Sequence, residues 1–267
     1  MVICCADAQA TLPAALASVA WADEVVVVDS GSVDATPDIA RAAADRYVVE
    51  PWRGYSAQKK YAASLARNDW VLVLDGDEEV SPQLAAELRA LHSAAVDGLD
   101  LLTMPRRNHV LGRPVRAWWP DTQSRLIHRG RARWSNDVLH DARRPSAPGR
   151  MRALKGHLEH KRVGAMPAGL KGGGDPVGWT DYFSGARLDA RLLDTARQMH
   201  DRGRRVSFAG LWLRPWFAFW KVYLLKLGCL DGSFGLLVAQ KAWVSTQLKY
   251  AALWAVQRER RVRRPGG

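Results

Sequence analysis

The chain has 267 residues, of which 48% are hydrophobic and 25% are charged, and its formal net charge at pH 7 is +12. This balance excludes wholesale disorder, and the length allows one large domain, or one domain with an appendage, rather than two equal domains. The surplus of positive charge favours an anionic partner, such as nucleic acid, a phospholipid surface or a phosphorylated substrate.

The first predicted element is a short buried strand over residues 2–5, which contains two of the three cysteines. Cys4 and Cys5 are adjacent and Cys229 lies far away, so the cysteines form neither a disulfide framework nor a metal-ligand spacing. The opening segment is too short for the apolar region of a signal peptide, and no basic segment precedes it. We therefore expect reduced thiols and a cytoplasmic location.

Apolar runs and helical patterns then alternate at the spacing of βαβ units, which predicts a mainly parallel, buried sheet with flanking helices. We predict helices over residues 11–19, 36–45 and 57–66, and strands over residues 24–29, 47–50 and 70–74. Thr36 is a predicted N-cap, because Pro37 follows it at the first helical position and Asp38 lies in the first turn. The fold class predicted for this half is α/β.

Polar residues follow two of these strands at the point where each strand ends. Asp29 and Ser30 follow the second strand, and Asp75 and Asp77 follow the fourth, with Gly76 between them. Because ligands of open α/β sheets gather at the carboxyl ends of the strands, these residues should face one crevice. Two carboxylates separated by one residue can hold Mg²⁺ or Mn²⁺ and, through the cation, a diphosphate.

The alternative interpretation of Asp75 and Asp77 is that acidic residues often end strands simply as turn formers, and the same holds for Asp29. The buried strand before Asp75 and the loop at Asp29 favour a nucleotide pocket, because a carboxylate accepts hydrogen bonds from ribose hydroxyls or a base N–H. We expect the pair to form a metal and donor site.

The middle of the chain, residues 101–160, is less regular and rich in Arg, Pro and Trp. We expect edge strands and an acceptor-side wall from it. The Gly-rich segment at residues 171–176 predicts a loop or lid. It lacks the Gly-Lys-Ser/Thr ending of a phosphate-binding P-loop, which excludes that motif.

The last third is predicted to be helical, basic and rich in Trp. Residues 211–230 are apolar over nearly the length of a membrane span, but Arg214, Pro215, Lys221 and Lys226 interrupt the run. We therefore expect this segment to lie on an anionic bilayer or to pack as a hairpin with a second amphipathic segment at residues 234–254. The alternative is an ordinary helical subdomain with an aromatic core. The predicted boundaries are residues 1–200 for the α/β domain and 201–267 for the membrane-associating region.

Seven segments resemble the lipopolysaccharide core glucosyltransferase branch of glycosyltransferase family 2. They are WADEVVVVDSGSVDAT (residues 21–36), PWRGYSAQK (51–59), WVLVLDGDEEVS (70–81), PRRN (105–108), WPDTQSRL (119–126), VLHD (138–141) and LLKLGCLDG (224–232). The resemblance covers nearly the whole chain, and the combination is more specific than any one segment.

The resemblance implies a GT-A fold, which is Rossmann-like, and inverting transfer of a hexose, with glucose as the expected sugar, from a UDP-sugar donor. The implied acceptor is a lipopolysaccharide-core or other lipid-linked saccharide at the cytoplasmic face of the inner membrane, where the enzyme would be peripherally associated. The metal role, for Mg²⁺ or Mn²⁺, carries over to Asp77, with Asp75 assisting at the metal or the ribose. Nucleotide contacts carry over to Asp29, Ser30, Gln58 and Lys59.

An inverting transfer needs one general base that deprotonates the acceptor hydroxyl. We assign this role to Asp141, at the position where similar proteins usually have Glu, with Asp121 second and Asp137 third. The alternatives are that Asp141 forms a structural hydrogen-bonded pair with His140 and that Asp121 is a turn residue.

The chain departs from the resemblance at its first strand. Similar proteins usually end this strand in Thr-x-Asn-Glu, where this chain has Cys5-Ala6-Asp7-Ala8. We expect Asp7 to contact the nucleotide still, with weaker donor affinity or a changed donor.

A second hypothesis is a non-catalytic, basic, Trp-rich adaptor that binds anionic lipid and has kept the GT-A fold. The altered first-strand motif favours it, whereas the intact acidic residues at the end of the fourth predicted strand favour the enzyme. Nucleic acid is disfavoured as a partner, because the basic residues cluster with tryptophans at helical spacing and no recognised nucleic-acid-binding module is present.

Overall fold

The computed structural model of the chain describes residues 1–110, 112–134, 143–162 and 186–262. These residues belong to two compact units. The first unit draws on Met1–Pro114 and Trp119–Gly178, and the second on Val115–Trp118 and Trp179–Gly267.

In the part of the chain that the structure describes, the first unit is built on a ten-stranded sheet and a separate two-stranded sheet. In chain order the strands are β1 (Val2–Cys5), β2 (Val26–Asp29), β3 (Arg46–Val49), β4 (Trp70–Asp75), β5 (Glu78–Val80), β6 (Leu101–Val110), β7 (Arg113–Pro114), β8 (Asp121–His128), β9 (Arg133–Trp134), β10 (Arg143–Arg144), β11 (Met151–Ala153) and β12 (Leu158–Arg162). The large sheet has the order β3-β2-β1-β4-β8-β6-β12-β5, with β7 and β11 also paired to β6, and β9 pairs with β10.

The first four strands of the chain pair in parallel, as the sequence predicts. The continuous apolar runs of β1, β2 and β4 are buried on both faces, because helices cover the sheet on each side. In register, Cys5 lies opposite Asp29 and Cys4 lies opposite Asp75. The acidic ends of β2 and β4 therefore flank the end of β1 at one edge of the sheet.

The middle of the chain extends the sheet with mostly antiparallel pairs. β8 pairs antiparallel with β4 and β6, β12 lies parallel to β6, and β5 closes the order antiparallel to β12. β6 and β8 are interior strands, so the expectation that this region supplies edge strands was wrong for these two. The reason is that their apolar residues, Leu101, Leu102, Met104, Leu126 and Ile127, are buried and complete the core.

Five helices flank the sheet in the described part of the first unit: α1 (Leu12–Ser18), α2 (Thr36–Ala43), α3 (Tyr55–Leu65), α4 (Pro82–Arg89) and α5 (Ser93–Val96). Side chains alternate between the faces of a strand, so Ile3 packs with α1 and α4 while Val2 packs with Ala62 of α3. Each such fully buried aliphatic side chain contributes about 1.5–3 kcal/mol. The result is a mixed, mostly parallel curled sheet between helices, which confirms the α/β prediction.

The described part of the second unit is helical. Its elements are α6 (Ala186–Asp201), α7 (Phe208–Trp220), a π-helical turn (Lys221–Leu225), a 3₁₀ turn (Gly228–Asp231) and α8 (Gly232–Val262), together with the 3₁₀ turn Arg116–Trp118. The core joins Ala196 of α6 to Leu253 and Val256 of α8. Among the described residues no single helix is long and apolar enough to cross a bilayer, although Phe208–Leu225 and Gly228–Glu259, bent by 69°, pass that criterion as a pair.

Candidate active site

Asp75 ends β4, and Asp77 follows it after one glycine; we call these two carboxylates the acidic row. The row lies against the end of β1. The amide of Gly76 donates to the Cys4 carbonyl at 3.0 Å. A Cβ at position 76 would lie 2.8 Å from the Cβ of Cys5, which is closer than carbon atoms tolerate. Glycine is therefore required between Asp75 and Asp77 by the close approach of β1.

Asp75 is held by two cations. Its Oδ1 lies 2.5 Å from Lys59 Nζ and its Oδ2 lies 2.7 Å from Arg125 Nη2. Burial alone would raise the pKa of Asp75, but Lys59 and Arg125 outweigh burial and hold this pKa well below its ordinary value. Asp75 is therefore an anion with both oxygens engaged, and two residues that were separately predicted to contact the nucleotide, Lys59 and Asp75, are in direct contact.

Asp77 faces His160, a residue that no sequence motif identified as part of the site. His160 Nε2 lies 3.1 Å from Asp77 Oδ2, and His160 Nδ1 lies 2.6 Å from Asn108 Oδ1. Asn108 Nδ2 donates to Asp121 at 2.9 Å, which orients the amide so that its oxygen accepts from Nδ1–H. His160 Nε2 therefore faces the Asp77 carboxylate, and this nitrogen and the carboxylate oxygen are both atoms that can bind a metal cation.

A buried acid, Glu78, sits behind this row. Its side chain is fully buried, and Oε1 accepts from Arg106 Nη1 at 2.8 Å and from Arg125 Nη2. Burial would raise the pKa of Glu78, but Arg125 and Arg106 lower it. A buried carboxylate is tolerated here only because two guanidinium groups compensate its charge.

Asp121, the second candidate for the base, accepts four hydrogen bonds. Arg106 Nε and Nη2 donate to it at 2.9 and 2.7 Å, Asn108 Nδ2 at 2.9 Å and Gln123 Nε2 at 2.8 Å. Burial would raise the pKa of Asp121, but these donors and the charge of Arg106 lower it. This environment stabilises the anion and makes it a weaker proton acceptor.

The loop after β2 is fixed around Asp29, which is fully buried. Its carboxylate accepts from Ser32 Oγ at 2.5 Å and from the Tyr47 hydroxyl at 2.7 Å. Burial and the adjacent carboxylate of Asp29 raise the pKa of Tyr47. The predicted loop is therefore a rigid element at the edge of the sheet where β4 also ends.

The departure at the end of β1 has a structural counterpart in Asp7. This residue has a left-handed backbone with φ of 48°, a conformation that Asp and Asn adopt more readily than most residues. Its amide donates to Ser32 Oγ at 2.8 Å, and its carboxylate accepts from the Val33 amide at 2.9 Å. Asp7 thus joins the β1 end to the loop after β2.

Gln58 connects the start of α3 to the same loop. Its amide nitrogen donates to Ser30 Oγ at 3.3 Å and to the Glu50 carbonyl at 3.1 Å, and its oxygen accepts from the Arg53 amide at 3.2 Å. The five predicted nucleotide residues other than Asp7 therefore form two contacting groups, Asp29 with Ser30 and Gln58, and Lys59 with Asp75.

Two of the predicted base residues, Asp137 and Asp141, lie outside the described residues, as does His140. Among the residues that the structure describes, no group of three His, Cys, Asp or Glu side chains is placed to hold a metal ion. Sequence reasoning assigned no role to Arg106, Asn108 and Arg125, although the resembling segments contain them. It missed His160 altogether, because only the pairing of β12 with β5 and β6 brings this residue to Asp77.

Comparisons with known proteins identify the family. The sequence model of the family described as "Glycosyl transferase family 2" matches residues 1–158 of the chain. A lipopolysaccharide core biosynthesis glycosyltransferase, LpsC of Rhizobium meliloti, is 32% identical over 239 residues, which are 83% of this chain and 78% of that protein. An uncharacterized glycosyltransferase of Rickettsia bellii is 45% identical over 73 residues, which are 27% of this chain and 25% of that protein. The chain thus matches about a quarter of the Rickettsia relative's length.

Solved structures show weaker likenesses. S. aureus TarS is 19% identical with a TM-score of 0.34, over 48% of this chain and 28% of TarS. Glucosyl-3-phosphoglycerate synthase of Mycobacterium tuberculosis, crystallised with Mn²⁺ and UDP, is 22% identical with a TM-score of 0.32, over 40% of this chain and 43% of that chain. The family match and the curled sheet together confirm the GT-A-like fold.

Proposed function

Because the chain belongs to glycosyl transferase family 2, we propose that it is a metal-dependent, inverting glycosyltransferase that transfers a hexose from a UDP-sugar. The expected sugar is glucose, and the expected acceptor is a lipopolysaccharide-core or other lipid-linked saccharide. The observation that carries the proposal is the acidic row after β4, where Asp77 faces His160 and Asp75 is held by Lys59 and Arg125. The likeness to LpsC supports the acceptor class.

The side chains at Asp77 fit a divalent cation. Asp77 offers a carboxylate oxygen and His160 an imidazole nitrogen, both of which are metal ligands, and the remaining positions are left to a diphosphate and water. A mixed oxygen and nitrogen set suits Mn²⁺ better than Mg²⁺. When bound, the cation would neutralise the charge that develops on the departing nucleoside diphosphate.

Asp75 has a different role in this proposal. Lys59 and Arg125 occupy both of its oxygens, so it shapes the site without binding the cation directly. Its negative charge also keeps the Lys59 ammonium beside the acidic row, where an anionic diphosphate would approach. The nucleoside would then contact the rigid loop at Asp29 and Ser30, which Gln58 supports.

The transfer itself needs an acceptor oxygen that attacks the anomeric carbon opposite the diphosphate. The acceptor O–H proton moves to the base, the bond from carbon to the diphosphate oxygen breaks, and the configuration inverts. Asp121 is a poor base because four donors and a lowered pKa stabilise its anion. We therefore keep Asp141 as the proposed base and give Asp121 the role of positioning Arg106 and Asn108.

Thermal unfolding with and without donor tests the proposal. UDP-glucose should raise the melting temperature only when Mn²⁺ or Mg²⁺ is present, and Asp77→Ala should abolish this shift. Asp69→Ala is the matched control, because Asp69 is an exposed carboxylate at the opposite end of β4. A metal-independent shift, or none with any UDP-hexose, would contradict the proposed donor site.

We also propose that the reaction takes place at the cytoplasmic face of the inner membrane, because a lipid-linked acceptor would be held there. Cys4 and Cys5 are thiols buried within the sheet, which agrees with a reducing compartment. Fractionation of cells that express the full chain, with and without a high-salt wash, would locate the enzyme.

A further inference from the structure

One side of α7 exposes large apolar side chains to solvent. At about 100° per residue they occupy one half of the helix circumference, and each is 47–70% exposed. We call this side the apolar face of α7; its members are Phe208, Trp212, Leu213, Trp216, Phe217 and Trp220. The opposite side, which includes the buried Pro215, packs within the unit.

The exposed apolar surface continues into the turns that follow α7. Leu224, Leu225, Leu227 and Leu230 are 49–74% exposed. The backbone of this turn is tightly constrained, since Leu227 has a left-handed φ of 56° and Gly228 is packed against the Val222 carbonyl. Soluble monomers rarely expose a contiguous apolar patch of this extent, and such patches mark binding surfaces.

Positive charge brackets the apolar face. Between Arg202 and Leu230 the sequence has six Lys or Arg residues and no Asp or Glu. Exposed cations precede α7 and follow it; they are Arg202, Arg204, Arg205, Lys221 and Lys226. A second copy of the chain would bring this positive charge against itself, whereas an anionic lipid surface offers both an apolar interior and opposite charge.

We infer that the apolar face of α7 and the following turn insert into the interface of an anionic lipid bilayer, with α7 lying in the plane of the membrane. Tryptophan favours the head-group level, and three of the six members of the face are tryptophans. The flanking cations would contact lipid phosphates. The inference concerns a surface of the second unit and does not depend on the donor site.

Vesicle flotation of the full chain tests the insertion. The wild-type chain should float with vesicles of phosphatidylcholine and phosphatidylglycerol, less with phosphatidylcholine alone, and less as salt rises. The double variant Leu213→Gln with Phe217→Gln keeps the net charge, so a loss reports apolar contact alone. We expect the vesicle partition coefficient to fall at least about tenfold.

A matched control uses Leu193 of α6, which is 46% exposed in the same unit. Leu193→Gln should change the partition coefficient by less than about twofold, because isolated exposed apolar residues are ordinary surface features. The melting temperature and the metal-dependent UDP-glucose shift of each variant report folding and the donor site separately from lipid binding.

Site-specific labelling gives a second readout. An environment-sensitive fluorophore on Leu225→Cys, in a Cys229→Ser background, should shift to shorter wavelength when anionic vesicles are added, whereas the same label on Leu193→Cys should not. Cys4 and Cys5 are buried and would not compete for the label.

Three outcomes would overturn the inference. These are no flotation of the wild-type chain with anionic vesicles, equal flotation of the double variant, and a dimer that depends on the apolar face without any lipid binding. The last result would assign the face to a second copy of the chain.

Discussion

Removing Arg125 should destabilise the fold through the two buried acids that it contacts. Arg125 is 3% exposed, and its Nη2 reaches both Asp75 and the fully buried Glu78. Arg125→Met keeps much of the side-chain volume and removes the charge. Because Glu78 keeps Arg106 and Asp75 keeps Lys59, we expect a loss near the lower end of the range for a broken buried pair, about 3 kcal/mol.

The loss should depend on pH in a defined direction. The pKa values of Asp75 and Glu78 are lowered in the folded wild type, so their stabilisation is present above the ordinary values near 4 and is lost as the pH falls through the lowered values. In the variant the folded pKa values are higher. The difference in unfolding free energy between wild type and variant should therefore be largest at neutral pH and shrink below about pH 4.

Urea unfolding at several pH values measures this difference. Arg41→Met is the control, since Arg41 and Asp38 form an exposed pair that should contribute less than about 1 kcal/mol. Adding Glu78→Gln to Arg125→Met should recover roughly half of the loss, because it removes one of the two buried anions that lost a guanidinium partner. A loss no larger than that of the control, or one that is independent of pH, would refute the reasoning.

Four further variants probe the donor site and the base. His160→Ala should weaken Mn²⁺-dependent UDP binding about 10–100-fold in calorimetric titrations. If the dependence of UDP binding on Mn²⁺ were unchanged in this variant, His160 would not be a metal ligand. Gly76→Ala should lower the unfolding free energy by about 1–3 kcal/mol, because the new Cβ would lie 2.8 Å from the Cβ of Cys5. An unchanged unfolding free energy in urea would show that β1 shifts to accommodate the methyl group. Asp141→Asn should keep metal-dependent UDP-glucose binding and lose transfer, whereas Asp121→Asn should keep a transfer rate within about tenfold of the wild-type rate. Full activity of Asp141→Asn would move the base role to Asp121.

The parallel half of the sheet could be predicted because its signals are local. Continuous apolar runs and interposed helical patterns predict β1, β2 and β4, and the observed bounds differ from prediction by at most two residues. The start of α2 shows the limit of local reasoning. Thr36 begins the helix without capping it, and its hydroxyl instead accepts from the Ala8 amide at 2.7 Å, a contact 28 residues away in sequence.

The other half of the site could not be predicted because it depends on pairing between distant strands. His160 reaches Asp77 only because β12 pairs with the three-residue β5 and with β6. No periodicity distinguishes such a short strand from a turn. Similarly, the sequence shows Arg106 and Arg125 as two of many arginines, and only their burial beside Glu78 identifies them as compensating charges.

Charge balance explains why Asp77, and not Asp75, is the proposed metal ligand. Three cations, Lys59, Arg106 and Arg125, compensate three anions, Asp75, Glu78 and Asp121. Ammonium and guanidinium groups are not metal ligands. A carboxylate whose oxygens they already bind therefore has neither a free oxygen nor a neighbouring ligand to offer a metal ion. The partner of Asp77 is an imidazole, which is itself a metal ligand once its nitrogen is unprotonated. A cation entering beside Asp77 therefore gains two ligands and leaves the buried ion pairs intact, whereas binding at Asp75 would have to break them.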